Sequence, residues 1–129
     1  MAKINRFEDI EAWQKALELT LQIYSVTLRE EFGRDFRLRD QVRDAATSIM
    51  SNIAEGFERD GDKEFRQFLA VAKGSTGELR SRLYVALGVG YIRQTEFDRL
   101  YATASEIARM LRALMDYLGG SPLRGRKYR

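Results

Sequence analysis

The chain has 129 residues, of which 44% are hydrophobic and 32% charged, with a formal net charge of +3. That length fits one domain with a core of its own, and that balance excludes an intrinsically disordered chain. His and Cys are both absent, which removes Cys/His zinc sites, cysteine nucleophiles, Ser-His-Asp triads and the Glu-x-x-His pairs of metal-binding bundles.

The opening, "MAKINRFEDIEAW", lacks the apolar segment of a signal peptide. The longest apolar run, "YVALGVGYI" at 84–92, is too short to span a bilayer. A cytoplasmic protein without membrane contact is therefore expected. Four of the 22 basic side chains lie in the last six residues, "RGRKYR", leaving 18 basic against 19 acidic elsewhere. The excess charge thus belongs to a tail on a nearly neutral body.

Apolar residues recur in steps of three and four throughout. Ile10, Trp13, Leu17, Leu21, Tyr24 and Leu28 predict a first helix over about 7–30. The segment "EFGRDF" then reads as a turn. Leu38, Val42, Ala45, Ile49, Ile53 and Phe57 predict a second helix over about 37–58. After "RDGD", with Asp62 as the expected N-cap, a third helix over about 63–89 carries Phe65, Phe68, Leu69, Ala72, Thr76, Leu79, Leu83 and Leu87. "GYIRQ" breaks it. Thr95 is the expected cap of a fourth helix, whose face is Leu100, Ala104, Ile107, Leu111, Leu114 and Leu118. The single proline, Pro122, falls beyond all four. The predicted fold is all-α: an antiparallel up-down-up-down four-helix bundle over 1–120, then a flexible basic tail over 121–129.

The third helix contains "AVAKGSTGELRSRL" at 70–83. Two glycines within four residues weaken a helix, yet the apolar step keeps its phase across them. The small residues then predict a close crossing against "TSIMSNIAEGF" of the second helix. Asn52, Glu55, Gly56, Gly74, Ser75 and Glu78 form the expected polar crossing, with Ser48 and Ser51 beside it and Arg59 or Arg82 neutralising the carboxylates. A metal or acid–base role for these carboxylates is the sharper alternative. A structural network is the expectation, with no metal, no cofactor and no catalytic residue.

"SIMSNIAEGFER" followed by "FRQFLAVAKGSTGELRSRL", with "FEDIEAWQKALEL" and "LRDQVRDAATSI", resembles the four-helix-bundle family encoded within 23S rRNA intervening sequences, often labelled S23 ribosomal protein. The likeness covers about residues 7–118. That family is similar in fold to the accessory protein of diversity-generating retroelements, which binds nucleic acid and a reverse transcriptase. The resemblance implies a homo-oligomer, a pentameric barrel, with no established enzymatic role. Met50 stands where family members often carry Pro or a small residue, and Thr76-Gly77 where a larger or Ala-like pair is commoner.

Arg66, Lys73 and Arg80 step by seven along the third helix, with Arg59 seven before. Such a row drifts by only about 20° per heptad, and a ring would repeat it into a basic belt. A solvated surface stripe is the bland alternative. The tail adds Arg124, Arg126, Lys127 and Arg129, with Tyr128 placed to stack on a base. Trp13 and Tyr24 are expected in the core or a subunit interface. Leu19, Ile23, Val71, Val85 and Met110 lie off the main stripes and suggest a second buried surface. The expected function is a non-enzymatic homo-oligomer that binds RNA or DNA, with weak sequence preference, or scaffolds a nucleoprotein complex with a reverse transcriptase or other protein. A protein-interaction module without nucleic-acid contact is the alternative.

Overall fold

Helices account for all regular structure among residues 4–119, the part of the chain described by the computed structural model. A 3-10 turn at Phe7–Asp9 precedes α1 (Glu11–Thr27); then come α2 (Glu30–Arg34), α3 (Phe36–Glu58), α4 (Asp62–Gly88) and α5 (Gln94–Leu118). The predicted tail, with Arg124, Arg126, Lys127, Tyr128 and Arg129, lies outside the described residues.

Each long helix runs antiparallel to its neighbours. Thr20 donates to the Ala46 carbonyl and Arg43 to Thr27 across α1 and α3. Ser48 meets Ser75 across α3 and α4. Tyr84 packs on Phe97, and Arg66 reaches Met115, across α4 and α5. Lys15 pairs with Glu106, and Arg29 with Glu96, between α1 and the α5 side. The four long helices therefore close a ring of neighbours, α1–α3–α4–α5, with α1 and α4 on one diagonal. Ile23, Ile49, Ile53, Leu69, Leu79, Leu83, Leu100, Ile107 and Leu111 fill the centre. The expected faces of the second, third and fourth helices point inward.

The expected face of the first helix does not. Leu21 is 62% exposed, Leu28 76% and Tyr24 39%, whereas Ala12, Ala16, Leu19, Ile23 and Val26 are buried. Two apolar stripes coexist on α1, and both have the helical period. The inner one wins because Ala12, Ala16 and Thr20 allow close approach while Leu19, Ile23 and Val26 supply volume. Leu19 and Ile23 are thus core residues, not a second surface. Val71 and Val85, also off the main stripes, remain about half exposed.

The first helix is also shorter than expected. α1 ends at Thr27, and Arg29 turns the chain through an extended backbone. The predicted turn "EFGRDF" overlaps α2, which buries Phe32 completely. Asp35 then caps α3 by accepting the Leu38 N–H at 3.1 Å. The cap of α4 is Gly61, not Asp62, because the chain reverses there at φ +104°, a conformation that favours glycine. Arg93, not Thr95, occupies the cap of α5; the Glu96 carboxylate accepts its N–H at 2.8 Å.

Candidate functional site

The α3–α4 crossing is built from small residues, as the close approach of two backbones requires. Ser48 Oγ and Ser75 Oγ lie 2.9 Å apart, and Asn52 Nδ2 donates to the Ser48 carbonyl at 2.8 Å and to its hydroxyl at 3.0 Å. Gly56 is buried, and a Cβ there would stand 2.6 Å from Phe68 Cβ. Gly74 is different. A Cβ on it would meet nothing within 4 Å, and the residue is exposed. The crossing expected at Gly74 is therefore made by Ser75, one helical step away. Glu55 and Glu78 also stand outside the network: each forms an exposed i,i+4 pair, with Arg59 at 2.9 Å and Arg82 at 3.4 Å. These are ordinary helix-surface pairs, each worth a few tenths of a kcal/mol. Among the described residues, no group of three or more acidic side chains is arranged to hold a metal ion.

The basic row lies along the seam between α4 and α5. Arg66 Nε donates to the Met115 carbonyl at 3.1 Å in the last turn of α5, and the Arg80 guanidinium lies 5.7 Å from the Tyr101 ring centre. Lys73 falls midway between them on the same side of α4. Arg80 Nε also donates to the Thr76 carbonyl at 3.2 Å. None of the three has a carboxylate within 4.0 Å among the described residues. The partners of Arg66 and Arg80 are carbonyls and a ring, which position these two cations without neutralising them. Arg59 stands apart from this row. It closes the end of α3, pairs with Glu55 and lies over Phe68 at 5.0 Å.

The strongest ionic site is one that the sequence reading missed. Glu96 is 4% exposed. Arg29 donates to it through both terminal guanidinium nitrogens, one at 2.9 Å to Oε1 and the other to Oε2, and Arg93 adds its N–H and a guanidinium 3.6 Å away. The Arg29 hydrogen bond pulls the Glu96 carboxyl down to about 2 against the opposing effect of burial, aided by the Arg93 N–H and both positive charges. The same bond pushes Arg29 up. Beside it, the Tyr91 hydroxyl donates to Asp35 Oδ2 at 2.9 Å, which raises the tyrosine above its usual range, and the Tyr91 ring stacks on Phe32 at 5.0 Å. Together these contacts tie the α1–α2 and α4–α5 connections. Every member of this site is engaged with another within the protein.

Outside the bundle, the second stripe of α1 leaves Leu21, Tyr24 and Leu28 exposed, and Phe36 at the start of α3 is 64% exposed. Arg43 stacks on Tyr24 at 4.4 Å. Trp13 is half-buried against Phe7, with ring centres 5.2 Å apart. No described helix is long and apolar enough to cross a membrane.

Residues 8–113 match the model of the 23S rRNA-intervening sequence protein family. The chain belongs to that family. The crystal structure of a protein of unknown function from the S23 ribosomal protein family of Bacteroides thetaiotaomicron VPI-5482 has the same helical fold. It shares 22% sequence identity at a TM-score of 0.74, covering 81% of this chain and 97% of that one. No curated protein matches the sequence. In this member of the 23S rRNA-intervening sequence protein family, Ser75 of "GSTGEL" meets Ser48 of α3, which Asn52 of "NIAEG" holds from within that helix, while Gly56 faces Phe68.

Proposed function

We propose that this protein is a non-enzymatic, cytoplasmic homo-oligomer that holds nucleic acid by its phosphate backbone and so organises a nucleoprotein complex. The observation that carries this reading is the α4 row of Arg66, Lys73 and Arg80, three cations with no carboxylate within 4.0 Å among the described residues, two of them, Arg66 and Arg80, oriented by neutral groups. At 1.5 Å per residue the row spans about 21 Å. Cations spaced in a line without a recognisable base-reading motif suit phosphates and not base edges.

Assembly is supported by the other side of the bundle. Leu21, Leu28 and Phe36 are large apolar side chains, each more than 60% exposed, and exposed apolar patches mark interaction surfaces. A second copy covering them gives the homo-oligomer, with the pentameric ring as the form proposed. A ring multiplies the basic row by the number of subunits. The same apolar side chains also favour a second reading, in which they seat a different protein, such as a reverse transcriptase, and no nucleic acid is bound.

The test is to titrate labelled RNA and DNA with the protein at low and at moderate salt, while light scattering gives its mass. The proposal expects binding that weakens as salt rises, and a mass that is a multiple of 14.9 kDa. A monomer at micromolar concentration contradicts the assembly. Failure to bind RNA or DNA even at about 50 mM salt contradicts the nucleic-acid reading and leaves the protein-scaffold one.

A further inference from the structure

The face shared by α4 and α5 carries more than the basic row. Helical spacing places Ser105 and Arg112 near the Tyr101 side of α5, at four and eleven residues beyond it, with exposed Arg109 next around. Arg112 pairs with Asp116 at 3.3 Å, whereas Arg109 has no carboxylate within 4.0 Å among the described residues. Gly77 on α4 and Ser105 on α5 are small residues beside these cations. Gly77 in particular leaves space: a Cβ there would meet only the Arg80 guanidinium, at 3.6 Å.

At one end of this face sits an aromatic group. Tyr84 packs against Phe97 at 4.8 Å and Tyr101 at 5.7 Å, and those two rings lie 5.3 Å apart. Phe97 is buried and Tyr101 half-buried, but Tyr84 remains 56% exposed. Its ring is thus braced by two others while much of it faces water. Tyr84 follows Arg80 by one helical turn, about 6 Å along α4, so it extends the line of Lys73 and Arg80.

We infer that this face is a single-strand platform: Lys73, Arg80 and Arg109 engage the phosphates, and Tyr84 stacks on an unpaired base. The inference rests on the nucleic-acid reading above and specifies its ligand. A duplex hides the faces of its bases, so a braced, exposed ring beside a phosphate-binding row selects a strand whose bases are free. Stacking accepts any base, which fits a face with no array of side chains set to read base edges.

The test uses the full chain and fluorescence anisotropy at fixed low salt. Three labelled probes are compared: an oligouridylate of about 12 nucleotides, an abasic strand of equal charge, and a duplex of equal length. The platform predicts that the oligouridylate binds tightest. Tyr84→Ala weakens it roughly 5- to 150-fold, down to the level of the abasic strand, and Tyr84→Phe restores it. If the oligouridylate binds but Tyr84→Ala and the abasic strand show no loss, stacking is overturned while the phosphate reading stands. Equal affinity for duplex and single strand likewise overturns the platform alone. If no probe binds, both readings fail together. Because the abasic comparison uses the unmodified protein, poor folding of Tyr84→Ala does not blunt the test.

Discussion

Glu96→Gln is the substitution whose cost can be worked out most directly. It keeps the size of the side chain and removes its charge. The unmodified carboxyl sits at about 2, against an ordinary value of about 4.3. A depression of that size corresponds to roughly 3 kcal/mol in favour of the ionised folded form. The Arg29 side chain is 44% exposed, so part of its charge is already solvated, and about 2 kcal/mol is the working figure. Because the folded value is the lower one, the unfolded chain takes up the proton first on acidification. The contribution is complete above about pH 5 and disappears as pH falls toward 2. Urea unfolding at fixed protein concentration, followed by circular dichroism, reads it out. At neutral pH the Gln variant is expected to be about 2 kcal/mol less stable, and the gap to the unmodified protein narrows steadily below about pH 5. Equal stabilities at neutral pH, or a gap independent of pH, refute the assignment of Glu96 as the tie between the α1–α2 and α4–α5 connections.

Three further outcomes follow from the packing. Gly56→Ala places a Cβ 2.6 Å from Phe68 Cβ and should lower stability by about 1 to 3 kcal/mol through overpacking; an unchanged melting temperature contradicts the close crossing. Gly74→Ala meets open space and should raise stability by up to about 1 kcal/mol through helix propensity; a lower melting temperature shows that something covers this position. Leu21→Glu, on the outer stripe of α1, should leave helix content unchanged while light scattering reports a smaller assembly; an unchanged mass removes this stripe from the subunit contact.

Much of the fold is legible in the sequence because α3, α4 and α5 each carry one apolar stripe, and the phase of that stripe fixes the inner face. α1 carries two. Leu17, Leu21 and Leu28 are larger than Ala12 and Ala16, so counting apolar bulk selects the outer stripe. Burial instead selects the stripe that lets neighbouring helices approach. The glycines of "GSTG" mislead in a similar way. Ser75 and Thr76 turn inward, and the flanking Gly74 faces water simply because it is one helical step, about 100°, away. Glu96 and Arg29 are 67 residues apart, and no local pattern announces such a pair. Its nearest signal is positional: Glu96 stands three residues after the break at Arg93, where a carboxylate can reach back to a helix-start N–H. Arg109 and Arg112 were readable by the same helical spacing that exposed the α4 row, but only the contacts of Arg66 and Arg80 with α5 show that the two helices share a basic face.

In the function proposed above, cations on the α4–α5 face hold phosphates. The slope of log K against log salt for a single-stranded oligonucleotide measures this most directly, in the unmodified protein, in the double variant Lys73→Gln/Arg80→Gln, and after removal of residues 122–129. Arg66 is kept because it holds the last turn of α5. Removing one cation from a phosphate flattens the single-strand slope by roughly 0.7. The account predicts that the double variant flattens it by about 1.4 for every subunit the strand engages, and by more than removal of the tail does. An unchanged slope in the double variant, with a flattened one after tail removal, would place the phosphate-binding cations in the tail and contradict the account.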